Sequence, residues 1–172
     1  MKKIAVIMGS DSDLPIVERG IEVLRSYDVP FEVHVYSAHR TPEEARAFAR
    51  SARAQGFGVL LCAAGMAAHL AGAIAANTTL PVIGLPCSGK VLEGMDALLS
   101  TVMMPPGIPV ATVGVDTAKN AALLAIEILA VTDERLAEKL DIERAENHEK
   151  ILAKDAELSA RFRSGAGSTA LR

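Results

Sequence analysis

Apolar residues in this chain gather in short continuous runs separated by amphipathic stretches, and this alternation recurs five times. Ile4 to Met8 is an unbroken apolar run closed by Gly9, the pattern of a strand buried on both faces. After Gly9-Ser10-Asp11-Ser12-Asp13, the residues Leu14, Val17, Ile21 and Leu24 recur at helical spacing. Phe31 to Tyr36 alternates instead, with Phe31, Val33 and Val35 set against Glu32, His34 and Tyr36. That period of two predicts a strand in which His34 faces solvent. Thr41-Pro42-Glu43-Glu44 opens the next helix: Thr41 suits the cap, Pro42 the first helical position, and Glu44 completes a capping box. Ala45, Phe48, Ala49 and Ala52 form its apolar face, and Gln55-Gly56 ends it.

A third strand is expected over 58–63, followed by a loop of small residues, Ala64 to His69, and a helix through Ala76. Pro81 to Pro86 and Val110 to Val115 predict the fourth and fifth strands, with a helix around Leu92 to Thr101 between them. Helices are expected over 118–130 and from about Asp133 to Phe162. The tail from Ser164 is small and polar, which predicts disorder and leaves 1–163 as one domain. Strand and helix alternating in this way predict an α/β fold, a three-layer αβα sandwich of flavodoxin-like or Rossmann-like type with a five-stranded parallel sheet. In such a sheet ligands bind at the carboxyl ends of the strands. The last helix carries only a thin apolar stripe, Leu136, Leu140, Ile151, Leu152 and Leu158, so it needs a partner, and a neighbouring subunit would supply one.

Composition narrows the function. A net charge of −3 and six scattered aromatic residues offer neither the basic field nor the stacking platforms of nucleic-acid binding. The apolar run after the charged start is too short for a signal peptide or membrane span. Cys62 and Cys87, in apolar surroundings and without CxxC spacing, are expected to be reduced and buried, as in a cytoplasmic protein.

The candidate chemistry lies in the turns after the strands. Ser37-Ala38-His39-Arg40 sets an imidazole and a guanidinium between a strand and a helix. Imidazole is suited to proton transfer near neutral pH, and a guanidinium to a phosphate. The plainer readings are an idle loop histidine, and an ion pair of Arg40 with Glu43 or Glu44. Ser10 and Ser12 with the adjoining helix start can grip a phosphate, while Asp13 suits sugar hydroxyls; alternatively Ser12 or Asp13 only caps the helix. His69, among Ala67, Ala68, Leu70 and Ala71, reads by pattern as a core histidine, and His148 as a solvent-facing residue of the last helix. Gly65 to Ala68 are small enough for a flat ring to lie against the backbone. Neither GxGxxG nor a Walker motif is present, since Gly89-Lys90 lacks the required glycine spacing, and no ligand spacing for a metal is seen.

Taken together, Gly9-Ser10-Asp11-Ser12-Asp13, Ser37-Ala38-His39-Arg40-Thr41-Pro42, Ala64-Gly65-Met66-Ala67-Ala68-His69-Leu70, Leu80-Pro81-Val82-Ile83-Gly84 and Gly107-Ile108-Pro109-Val110-Ala111-Thr112-Val113 resemble the N5-carboxyaminoimidazole ribonucleotide mutases of purine biosynthesis. The resemblance covers about residues 3–130. It implies migration of a carboxylate from the exocyclic nitrogen to ring carbon C4 of a ribonucleotide through trapped CO2, without cofactor or metal, in a homo-octamer with active sites at subunit contacts. His39 would then be the general acid and base. Ser10, Ser12 and Arg40 would hold the phosphate and Asp13 the ribose, Ser37, Ala38, Ala64, Gly65, Met66, Ala67 and Ala68 would form the pocket that keeps the gas, and Gly9 and His69 would also bind substrate. Met66, Ala71 and Met103 stand where most members carry Gly, Pro and Gln. A sister branch carboxylates aminoimidazole ribonucleotide directly with CO2, but usually replaces the Ala67-Ala68-His69 segment with a Ser-Asn type sequence. A non-catalytic flavodoxin-like module, such as a flavin carrier or receiver domain, is the reading from another class.

Overall fold

The computed structural model describes residues 1–163, in which β1 (Lys3–Met8), β2 (Phe31–Val35), β3 (Phe57–Gly65), β4 (Val82–Cys87) and β5 (Ala111–Thr112) form one parallel sheet. Its strand order is β2-β1-β3-β4-β5. Between the strands run α1 (Leu14–Ser26), α2 (Pro42–Ser51), α3 (Leu70–Ala75) and α4 (Met95–Val102), and α5 (Ala118–Ala130) and α6 (Glu134–Phe162) follow. The expected three-layer sandwich is therefore present, and its order reverses direction between β1 and β3, where a crevice opens at the strand ends. The reading of the tail from Ser164 lies outside the described residues.

The continuous apolar strands are central because both of their faces are covered. Ile4, Val6 and Met8 face α1 and α5 with Val59, Leu61, Ile83 and Leu85. Ala5 and Ile7 face α2 and α3 with Leu60, Cys62 and Val82. Val17, Ile21 and Leu24 of α1 are buried as expected, whereas Leu14 at its first turn is exposed. All four apolar residues predicted for the second helix, Ala45, Phe48, Ala49 and Ala52, are buried. The alanines of α5 also turn inward: Ala118, Ala121, Ala122 and Ala125 are fully buried, so its small-residue stripe serves close packing within the chain.

β2 departs from the expected orientation. Val33 and Val35 are exposed, while His34 is half-buried and packs with Tyr36 against Phe48. The alternation predicted the strand, but the edge position decides its faces: α1 and α5 cover the middle of the sheet, and α2 takes the opposite side of β2. β5 is also shorter than the expected 110–115, pairing with β4 only through Ala111 and Thr112. α6 buries Leu136, and Leu140 packs against the same cluster. Its first half is tied down by the Tyr27 hydroxyl donating to Glu143 and by Lys139 donating to Asp28 at 2.8 Å. Farther along, Ile151, Leu152, Leu158 and Phe162 are exposed.

Helix α1 meets α5 at Gly20, where an added Cβ would stand 2.7 Å from the Ala118 carbonyl oxygen. Replacing a helical glycine by alanine ordinarily gains up to ~1 kcal/mol. Here the obstacle is backbone, which cannot swing aside, and overpacking of this kind costs about 1–3 kcal/mol. Gly20→Ala is therefore expected to destabilise the protein by about 1 kcal/mol net, seen as a lower denaturant midpoint with an unchanged slope.

Candidate active site

Four connections after the parallel strands converge on one cleft of about 680 Å³ at the carboxyl edge of the sheet. Gly9, Ser10, Ser12 and Asp13 arrive after β1, Ser37 to Arg40 after β2, Ala64 and Gly65 at the end of β3 with Met66, Ala67 and His69 beyond it, and Ser88 to Lys90 after β4. That volume suits a small ligand. Ile16 and Leu70 complete the wall. Pattern reading missed the segment from Ser88 to Lys90, although the continuous apolar run of β4 ending in Ser88-Gly89 carried the same edge signal as the other strands.

The Ser37 to Thr41 turn is held by its own side chains. Ser37 Oγ accepts from the backbone N–H groups of His39 at 3.3 Å and Arg40 at 3.1 Å. Thr41 Oγ1 accepts from the Ser37 N–H at 2.8 Å. The expected cap is thus corrected: Thr41 occupies the cap position of α2, but its hydroxyl turns back into the loop and leaves the helix N–H groups unbonded by it. Arg40 does not pair with Glu43 or Glu44; Glu43 pairs with Arg46, and Arg40 Nη2 donates to the Gly9 carbonyl at 3.1 Å. The guanidinium is thereby drawn beside Ser10 and Ser12 with no carboxylate on it among the described residues.

The chief feature of the cleft joins residues thirty positions apart. His39 Nε2 lies 2.8 Å from His69 Nδ1, with the two rings edge to face. A hydrogen bond between two ring nitrogens uses one hydrogen, so one ring donates its N–H at that point and the other accepts. His69 is exposed at the cleft, which corrects its reading as a core residue; it directly precedes α3, and the helix buries Leu70 and Ala71 instead. Ala68, expected beside the ring, is buried, and its carbonyl faces the Thr101 hydroxyl at 3.5 Å. Met66 has a left-handed backbone, φ 54°, and a largely exposed side chain. Such a φ is costly for any residue with a Cβ, which explains physically why glycine suits this position.

At the other wall Ser12 Oγ donates to Ser10 Oγ at 2.9 Å, and Ser10 Oγ also accepts the Ser12 N–H. Asp13 precedes α1 without capping it, so its carboxylate is left to the cleft. Burial raises the Asp13 pKa; a backbone hydrogen bond at Ser10 opposes that shift and the Asp11 carboxylate reinforces it. Neither cysteine is a nucleophile. Burial drives the Cys62 thiol far up, and burial with the nearby Asp13 and Asp116 carboxylates pushes Cys87 up to about 12. Among the described residues no cluster of three or more His, Cys, Asp or Glu is placed to hold a metal ion, and no helix is long and apolar enough to cross a membrane.

A protein-family model described as AIR carboxylase matches residues 3–150. A relative from Pyrococcus abyssi, N5-carboxyaminoimidazole ribonucleotide mutase, is 55% identical over 140 residues, 81% of this chain and 80% of its own. One of the same name from Methanocaldococcus jannaschii is 49% identical over 160 residues, covering 93% and 99%. The crystal structure of Treponema denticola PurE superposes with a TM-score of 0.83 at 27% identity, over 91% of this chain and 98% of that one.

The raised Asp13 pKa has a consequence for stability. A carboxyl whose folded pKa lies above its unfolded value favours folding only while protonated, so its penalty is absent below the ordinary value of 3.8 and complete once pH exceeds the raised one. Asp13→Asn is expected to be more stable than the wild type at pH 7, with the difference vanishing near pH ~3, as followed by urea denaturation across that range.

Proposed function

The chain belongs to the AIR carboxylase family, and on that premise we propose that it is a purine-biosynthetic mutase converting N5-carboxyaminoimidazole ribonucleotide to 4-carboxy-5-aminoimidazole ribonucleotide. The observation that carries this reading is the His39–His69 pair opening on a cleft that also holds the Arg40 guanidinium, with no carboxylate on it among the described residues, and two serine hydroxyls. Arg40, Ser10 and Ser12 bind the phosphate, in which charge-assisted hydrogen bonds are the strong ones. Asp13 accepts from the ribose hydroxyls. The ring lies against Ala64, Gly65 and Ala67, whose small side chains leave the backbone within reach, with Ser37 and Ala38 closing the same pocket.

His39 moves the proton. Its imidazolium donates to the exocyclic nitrogen as the carbamate N–C bond breaks, giving aminoimidazole ribonucleotide and CO2. The electron pair of ring carbon C4 then attacks CO2, a C–C bond forms, and the neutral imidazole takes the hydrogen from C4, which restores its starting state. His69 orients His39 and shares the hydrogen between them. Containment of CO2 is as important as the proton, because recapture is intramolecular only while the gas remains beside C4. No ATP, metal or organic cofactor is needed for this balance of atoms.

The exposed residues Met95, Leu99 and Met103 around α4, and Ile151, Leu152 and Phe162 on α6, are covered by further copies of the chain. The assembly is a homo-octamer in the cytoplasm, with the cleft completed at subunit contacts. The family description itself supplies the second reading, direct carboxylation of aminoimidazole ribonucleotide by CO2. Offering the carbamate substrate, or aminoimidazole ribonucleotide with bicarbonate, in parallel separates the two: faster use of the second reassigns the enzyme.

His39→Asn should retain the folded circular-dichroism spectrum and lose at least about a hundredfold in kcat; turnover at the wild-type rate would sink the mechanism. His69→Asn should lose less and alter the shape of the kcat–pH profile, because a shared hydrogen has been removed while the shuttle itself remains.

A further inference from the structure

The substrate of the proposed reaction carries anions at both ends, a phosphate on the ribose and a carboxylate on the base. The cleft lining holds one guanidinium, Arg40, and one ammonium side chain, Lys90, and neither makes an ion pair among the described residues. We propose that Lys90 is the carboxylate-binding residue of this cleft, holding the migrating group in both its nitrogen-bound and carbon-bound positions.

Sheet order keeps the two cations apart. Arg40 follows β2 and Lys90 follows β4, three strand spacings away in the order β2-β1-β3-β4. At ~4.8 Å per spacing the strand ends are about 14 Å apart, so the two side chains enter from opposite walls. Arg40 is drawn to the Gly9 carbonyl, beside the serines. A nucleotide with its phosphate there extends its base toward the wall of Met66, Gly89 and Lys90.

The Lys90 segment is pinned at both ends. The Ser88 N–H donates to Asp116 Oδ1 at 2.8 Å, and the Asp116 N–H donates to the Pro86 carbonyl at 3.0 Å. At the far end Gly94 has φ 91°, and a Cβ there would stand 2.4 Å from Val115 Cγ1. Gly89 lies against Met66, whose Cγ is 3.8 Å from the position of an added Cβ. The β5–α5 connection therefore holds the turn that presents the ammonium group.

The charge of the reacting group predicts what this cation does to the kinetics. Substrate and product are carboxylates, whereas the CO2 between them is neutral. A fixed ammonium stabilises both carboxylated states, and the transition states in which the carboxylate is still largely formed, relative to aminoimidazole ribonucleotide plus CO2, and so favours recapture over escape. Its loss removes binding common to substrate, product and those transition states, which raises KM while leaving kcat nearly unchanged.

This inference rests on the carboxylate-migration reading, and the experiment keeps the two separable. Binding of 4-carboxy-5-aminoimidazole ribonucleotide and of 5-aminoimidazole ribonucleotide is measured by calorimetry for wild type, Lys90→Gln and Lys90→Arg, alongside steady-state turnover and the share of turnovers releasing free aminoimidazole ribonucleotide. Lys90→Gln should lose about tenfold in affinity for the carboxylated ligand, the scale of one charged hydrogen bond. It should lose less than about twofold for the other, with KM raised, kcat retained and release increased; Lys90→Arg should recover most of the affinity. Equal losses for both ligands would place Lys90 on the phosphate, and no loss for either would leave it without a role at the ligand; both outcomes overturn the inference. A wild-type protein that fails to interconvert the two carboxylated nucleotides would instead overturn the proposed function, whatever the Lys90 variants do.

Discussion

The pairing of β1 with β3 is the constraint on which the cleft depends. Met8 lies opposite Ala63, and the ladder continues one step further as the Gly9 N–H donates to the Ala63 carbonyl at 2.9 Å. Both strands are buried on two faces, so a slip in register would misplace apolar side chains on both sides of the sheet at once. The turns after β1 and β3 are therefore delivered side by side. Gly9 then serves as the fixed post to which Arg40 reaches from β2.

Polar contacts close each of the turns that line the cleft. Ser37 and Thr41 close their turn with their own hydroxyls, Ser10 and Ser12 bond to each other, and Asp116 secures the Ser88 N–H. Each contact is modest in net free energy, of order 1 kcal/mol. Their effect is geometric, since they restrict loops that touch the hydrophobic core only at its rim, through residues such as Ala38. Met66 in its left-handed conformation and the half-buried Asp13 are destabilising features in the same few residues. Strain and carboxylate burial concentrated at a ligand edge are expected where positioning takes precedence over stability.

Small side chains serve two purposes in this protein. In α5 they permit helices to touch, as where Gly20 of α1 lies against the Ala118 backbone. Around Ala64 to Ala67 they leave backbone accessible in an open cleft. The same residue types thus pack where a helix covers them and admit a ligand where none does, and only their place relative to the sheet distinguishes the two cases.

Much of this was legible in the linear chain, because strands buried on both faces must be continuously apolar and helices lying on a sheet must be apolar on one side. Those patterns located four of the five strands well and α5 to the residue, placed His39 and Arg40 at the ligand edge, and carried the family resemblance. What distance along the chain conceals was settled by folding. The His39–His69 contact spans two different strand connections, the exposed valines of β2 follow from its place at the sheet's edge, and Lys90 gains its position from a turn clasped by Asp116. Local periodicity reports which side of an element is apolar; which neighbour covers that side, and which turns share a cleft, depend on sheet order, and strand order is a property of the assembled structure.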